Sequence, residues 1–164
     1  MSILTQKTIL KKVSLNGVGI HTGLEAHLDI LPAQPNTGII FKRVDIKKNN
    51  IIIPTYNNVV DATLCTTISN DYGIKVSTIE HLMGAFYGLG IDNAIVEINS
   101  QEVPIMDGSA KKFVELILDA GIQDSEVPIK IIKVEKQIQI RDGEKFISID
   151  KSNVSLDIDF EIKY

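Results

Sequence analysis

Apolar and polar residues alternate between positions 24 and 31: Leu24, Ala26, Leu28 and Ile30 face one way, Glu25, His27 and Asp29 the other. Period two marks a half-buried strand, and Pro32 with Pro35-Asn36 ends it. Residues 8–15, 38–43, 51–53, 63–69 and 93–99 read as further strands, and Asn70-Asp71-Tyr72-Gly73 as a turn. The period then changes. Ile79, Leu82, Met83 and Phe86 recur at i, i+3, i+4 and i+7, the stripe of an amphipathic helix. Ser77 is its expected N-cap, with Glu80 three positions on completing a capping box, and Gly88 and Gly90 end it. A second helix is expected after Ser109, with Phe113, Leu116, Ile117 and Ala120 inward and Gly121 just past its end.

From about Val127 the pattern is strands alone: residues 129–134, 137–140, 145–149 and 154–162, with Asp142-Gly143 as a hairpin turn. Val154, Leu156, Ile158 and Phe160 share one apolar face, and no helix follows to cover it. A unit below ~40 residues with an open apolar face does not make a stable core by itself. The expected architecture is therefore α+β, a sheet with packed helices over residues 1–126, followed by the opening strands of an incomplete second unit over 127–164.

Composition narrows the function classes. The chain has 164 residues, 44% hydrophobic and 23% charged, which suits a folded domain rather than a disordered one. Its net charge of −4 argues against nucleic acid as a partner, because phosphate neutralisation needs clustered Lys and Arg. No apolar run is long enough for a signal peptide or a spanning helix. Cys65 is the only cysteine, so no internal disulfide is possible and a cytoplasmic setting is expected.

Candidate chemistry centres on Glu80-His81 at a helix start. An imidazole can ligate zinc and an adjacent carboxylate can take a proton from a metal-bound water. The same Glu also has a structural use in the capping box, and position 84 is Gly84, so there is no HExxH. His21 sits in the glycine-rich stretch Gly17 to Gly23, which serves either a tight turn or a close approach to a ligand. His27 reads as a solvated strand residue and Cys65 as a buried thiol. Asp107 either favours a helix N-terminus or orients an active-site group. With three histidines in the chain and no HxxxH or HxxxD, a complete zinc site is not readable.

Five segments in order carry a resemblance: Gly17-Val18-Gly19-Ile20-His21-Thr22-Gly23, Leu64-Cys65-Thr66, Ser77-Thr78-Ile79-Glu80-His81-Leu82, Gly88-Leu89-Gly90-Ile91-Asp92-Asn93 and Pro104-Ile105-Met106-Asp107-Gly108-Ser109-Ala110. Together they resemble the UDP-3-O-acyl-N-acetylglucosamine deacetylase family of lipid A biosynthesis. The resemblance implies the first of two similar α+β domains, with the site between them. It implies a zinc-dependent hydrolase that releases acetate from a UDP-sugar lipid, with Glu80 as general base and His81 as a zinc ligand. Leu64, Cys65, Thr66 and His21 would line the substrate site. The other two zinc ligands and a further catalytic His, on an HxxxD helix of that family's second domain, have no counterpart here. The expectation is thus a cut-short form that binds zinc weakly and does not deacetylate alone. The alternatives are a non-enzymatic domain that kept the fold, or half of a split enzyme. The motifs leave oligomeric state and acyl-chain length open.

Overall fold

The computed structural model describes residues 4–152 and 157–162. Its elements run β1 (Thr5–Ile9), β2 (Val13–Val18), β3 (Glu25–Pro32), β4 (Ile39–Arg43), β5 (Ile51–Ile52), β6 (Val59–Asp61), β7 (Thr67–Ser69), β8 (Lys75–Val76), α1 (Glu80–Leu89), β9 (Ala94–Ile98), α2 (Lys111–Ala120), β10 (Ile122–Pro128), β11 (Ile138–Asp142) and β12 (Lys145–Ile149). The fold is α+β. Two compact units divide it, Met1–Ile129 and Lys130–Tyr164.

The first unit is built on a five-stranded sheet of order β2-β3-β9-β4-β5. The alternation read at 24–31 sets its inner face: Ala26, Leu28 and Ile30 are buried, and Leu28 and Ile30 pair with Ile98 and Val96 of β9. Leu24 lies before the strand and is exposed, because the ladder with β2 starts at Glu25 opposite Val18. α1 buries Leu82, Ala85 and Phe86, and α2 buries Phe113, Ile117 and Ala120. The two helices pack on each other and share one apolar core with the sheet. Burying a side chain of this size contributes about 1.5–3 kcal/mol. Gly90 ends α1 in the left-handed region at φ 68°, returning its N–H to Phe86 and Tyr87 carbonyls. A three-stranded sheet, β6-β7-β8, leads into α1, and the Asn70 amide after β7 donates to the Ile51 carbonyl at 2.9 Å.

Several expected elements differ. The strand over 8–15 is two strands in two sheets: β1 pairs with β10 and β2 with β3, and Leu10 N–H turns to the Gly121 carbonyl at 2.8 Å. The strand over 63–69 is confined to Thr67–Ser69, because Asp61 accepts the N–H and hydroxyl of Thr63 and so forms a turn. The strand expected at 129–134 is absent; β10 runs earlier, over Ile122–Pro128, drawn into an antiparallel ribbon by β1. The capping box is not made. Ser77 lies in a bridge with Glu102, its hydroxyl donates to the Gln101 carbonyl at 3.2 Å, and Thr78 takes φ +58°. That turn places Ile79 at the N-cap position, with no side-chain cap. Before α2, the N-cap position is Ala110, and Ser109 still accepts the Lys111 N–H at 3.1 Å.

The second unit contains the hairpin β11–β12, with Ile138 opposite Ile149 and Ile140 opposite Ile147. All four are exposed, and Arg141 lies 5.2 Å from the Phe146 ring centroid. Of the strand expected at 154–162, Val154 and Leu156 lie outside the described residues, and 157–162 have no regular structure. Among the described residues no helix is long and apolar enough to cross a membrane.

Candidate active site

Glu80 is the first residue of α1 and its side chain is exposed. Its Oε2 accepts the N–H of Thr66 at 3.1 Å, which ties the segment Leu64-Cys65-Thr66 to the helix start. Among the described residues Oε1 of Glu80 has no hydrogen-bond partner. One oxygen is thus held by the backbone and the other is open to accept a proton. His81 follows, half-buried, and its ring makes no hydrogen bond within the described residues. Consecutive positions on a helix point about 100° apart, so carboxylate and imidazole leave adjoining sides of one turn.

Around this pair, Leu64 is exposed at 82%, while Cys65 is half-buried with Sγ 3.7 Å from the Thr67 hydroxyl. The thiol is thus neither deeply buried nor free of polar neighbours. His21 is exposed on its loop, where Gly23 N–H bonds the Gly19 carbonyl at 2.9 Å. The tight-turn reading of the glycines holds, with Gly23 at φ +66°.

A residue that pattern reading passed over joins these parts. Glu102 is fully buried. Its Oε1 accepts the His21 N–H at 3.0 Å and the Thr78 hydroxyl at 2.9 Å. Its Oε2 accepts the Thr22 N–H at 2.8 Å and the Thr22 hydroxyl at 2.7 Å. Burial pushes this carboxyl up, but the His21 amide and the Thr22 hydroxyl and amide, with the Thr78 hydroxyl, outweigh it and hold it below the usual carboxylate value. Thr78 is itself unusual: a β-branched residue at φ +58° costs about 1–3 kcal/mol and persists only where surroundings hold it. Gly19 is buried against the same carboxylate, and a methyl there would collide with it. The one sequence cue to Glu102 is an acid in a run of buried residues, Val103 and Pro104 following it.

The other candidates stand apart. His27 lies on the polar side of β3, its Nδ1 2.8 Å from Asn16 Oδ1 and its Nε2 3.2 Å from Asp29. Asp107 accepts the Ser109 N–H and hydroxyl at 3.1 and 2.9 Å, and those bonds hold its carboxyl below its ordinary value. Among the described residues no group of three His, Cys, Asp or Glu side chains stands close enough to hold a metal.

An α+β domain that presents an anchored carboxylate beside an imidazole carries groups able to exchange a proton or to bind a metal. Comparison with known proteins gives the particular family. The family model described as UDP-3-O-acyl N-acetylglycosamine deacetylase (LpxC) matches residues 6–164, and the chain belongs to that family. It is 41% identical over 162 residues to the UDP-3-O-acyl-N-acetylglucosamine deacetylase of Haemophilus ducreyi, covering 99% of this chain and 53% of the relative. Its identity to the enzyme of that name from Teredinibacter turnerae is 46% over 162 residues, covering 97% and 53%. For Actinobacillus succinogenes it is 42% over 147 residues, covering 90% and 48%. The chain spans about half the length of these curated relatives.

Proposed function

We propose that this chain supplies the base and one metal ligand of a zinc-dependent amide hydrolase that removes acetate from UDP-3-O-acyl-N-acetylglucosamine in lipid A synthesis. The observation that carries the reading is the Glu80 carboxylate, anchored through one oxygen to Thr66 and open at the other, beside the accessible ring of His81. In this reading Glu80 accepts the proton of the attacking water and His81 is a zinc ligand. Leu64, Cys65, Thr66 and His21 face the substrate. The family and the names of its relatives support the substrate class. A cytoplasmic setting agrees with the lone cysteine.

A catalytic zinc takes three protein ligands and a water, whose pKa it lowers. The described residues fit one position of such a site, His81, and do not furnish the full donor set. What this chain itself contributes is therefore proton transfer at Glu80 and one imidazole.

The test compares Glu80→Gln with His81→Ala in the active, zinc-loaded enzyme that carries this chain. Loss of a general base is worth about 10²–10⁴ in rate, so Glu80→Gln keeps zinc and loses turnover on that scale. His81→Ala loses zinc. Equal, mild effects of both changes on turnover, with zinc retained in each, would refute the assignment.

A further inference from the structure

Glu102 has no part in the chemistry above, yet among the described residues it is the one buried ionisable side chain. An ionised carboxylate goes into an interior only where donors replace its water. Here they come from two distant stretches, His21 and Thr22 on one side and Thr78 on the other, two donors to each oxygen. The backbone makes the same connection from beneath: Ser77 N–H bonds the Gln101 carbonyl at 2.9 Å and Val103 N–H the Ser77 carbonyl at 3.1 Å. Thr78, in its left-handed turn, is thus gripped by strand-like bonds at Ser77 and by Glu102 at its own hydroxyl. Two residues on is Glu80.

We infer that Glu102 is a positioning residue for the Glu80-His81 pair. Through the Thr78 hydroxyl it locks the turn from which α1 starts, and through the His21 and Thr22 amides it fixes the glycine loop against that turn. The inference rests on the reading of Glu80 as base. A carboxylate suits the arrangement best, because each of its oxygens faces one backbone N–H, which can only donate, and one Thr hydroxyl that donates to it. Glutamine has the same shape but, whichever way it is turned, sets its NH₂ against one backbone N–H, that of His21 or of Thr22, which cannot accept.

The test uses Glu102→Gln, Thr78→Val and Thr78→Ser in this chain, followed by the ¹H–¹⁵N spectrum and the ring protons of His81. Glu102→Gln and Thr78→Val are expected to shift the Thr66 amide and the His81 ring, neither of which touches residue 102. Thr78→Ser keeps the hydroxyl and leaves both at the parent positions. In the active, zinc-loaded enzyme, Glu102→Gln lowers kcat roughly ten- to a hundred-fold, the scale of a small misplacement of reacting groups. Its KM stays within about two-fold, since a ground-state contact is not removed. Thr78→Val carries the test if Glu102→Gln does not fold. Shifts confined to residues 19–22, 78 and 102, or parental kcat in Glu102→Gln and Thr78→Val where Glu80→Gln is inactive, would overturn the inference. Parental turnover by Glu80→Gln would instead remove the base assignment, and the Thr66 and His81 shifts would still judge whether Glu102 sets the helix start.

Discussion

Gly19→Ala and Gly84→Ala make the same chemical change at two places, and the structure assigns them opposite signs. At Gly19 a methyl would overlap the Glu102 carboxylate and lie 2.5 Å from the Thr22 hydroxyl oxygen. Neither neighbour can withdraw cheaply. Glu102 is enclosed, and moving it breaks bonds at 2.7 and 2.8 Å to Thr22. One lost hydrogen bond to a charged group costs about 1.5–3 kcal/mol, and overpacking adds about 1–3 kcal/mol. The stiffer unfolded chain returns about 0.4–1 kcal/mol. The net expectation for Gly19→Ala is a loss of about 2–5 kcal/mol, a large part of the ~5–15 kcal/mol that a domain has. At Gly84, inside α1, an added methyl meets nothing within 4 Å. Alanine there gains about 0.5–1 kcal/mol from helix propensity and unfolded-state entropy. Urea unfolding followed by far-UV circular dichroism reads both. With a slope of about 1–3 kcal/mol per molar, the Gly19→Ala midpoint falls by about 1 M or more while that of Gly84→Ala rises. A Gly19→Ala midpoint equal to the parent's would mean that the loop does not close on Glu102 as described.

Two further outcomes follow from the same structure. Because the four donors hold the Glu102 carboxyl below its ordinary 4.5 in the folded chain, the unfolded chain takes up the proton first on acidification. The stabilisation is therefore complete above that ordinary value and is lost as pH falls through the lower folded one; urea midpoints between pH 7 and pH 3 should fall more steeply in the parent than in Glu102→Gln. Phe113→Ala removes a ring with no exposed surface from the shared core and should cost about 3–5 kcal/mol, read as the drop in unfolding free energy at unchanged slope.

Where local pattern and tertiary demand agree, the fold was legible. β3 alternates because one side of it lines the apolar core, and α1 carries its stripe because Leu82, Ala85 and Phe86 enter that core. The misreadings fall where distant backbone wins. Ser77 has the right identity and spacing for a capping box, yet its N–H and carbonyl are taken by residues 101 and 103, and the chain reaches Glu80 through a left-handed Thr78 instead. Residues 8–15 carry apolar positions on both sides of Lys11-Lys12, and nothing local announces that the part before this pair joins β10 and the part after it joins β3. β10 itself, with Gln123, Asp124, Ser125 and Glu126, has no apolar alternation because a two-stranded surface ribbon is held by backbone bonds.

The candidate site divides along the same line. Glu80, His81 and His21 are visible because polar side chains able to carry chemistry stand out against an apolar pattern, and none of the three is fully buried. Glu102 carries a charge that ordinarily means surface, and its donors lie 24, 80 and 81 positions away in the chain. No window of sequence contains both the carboxylate and what satisfies it. Its burial can be justified only once the glycine loop and the turn before α1 are in place, and those two segments in turn have no other shared side-chain partner among the described hydrogen bonds. The dependence runs both ways: the loop and the turn make a buried carboxylate tolerable, and the carboxylate holds them in register. A substitution at any one of Gly19, Thr22, Thr78 or Glu102 should therefore disturb the same structure, even though the four are scattered over the chain.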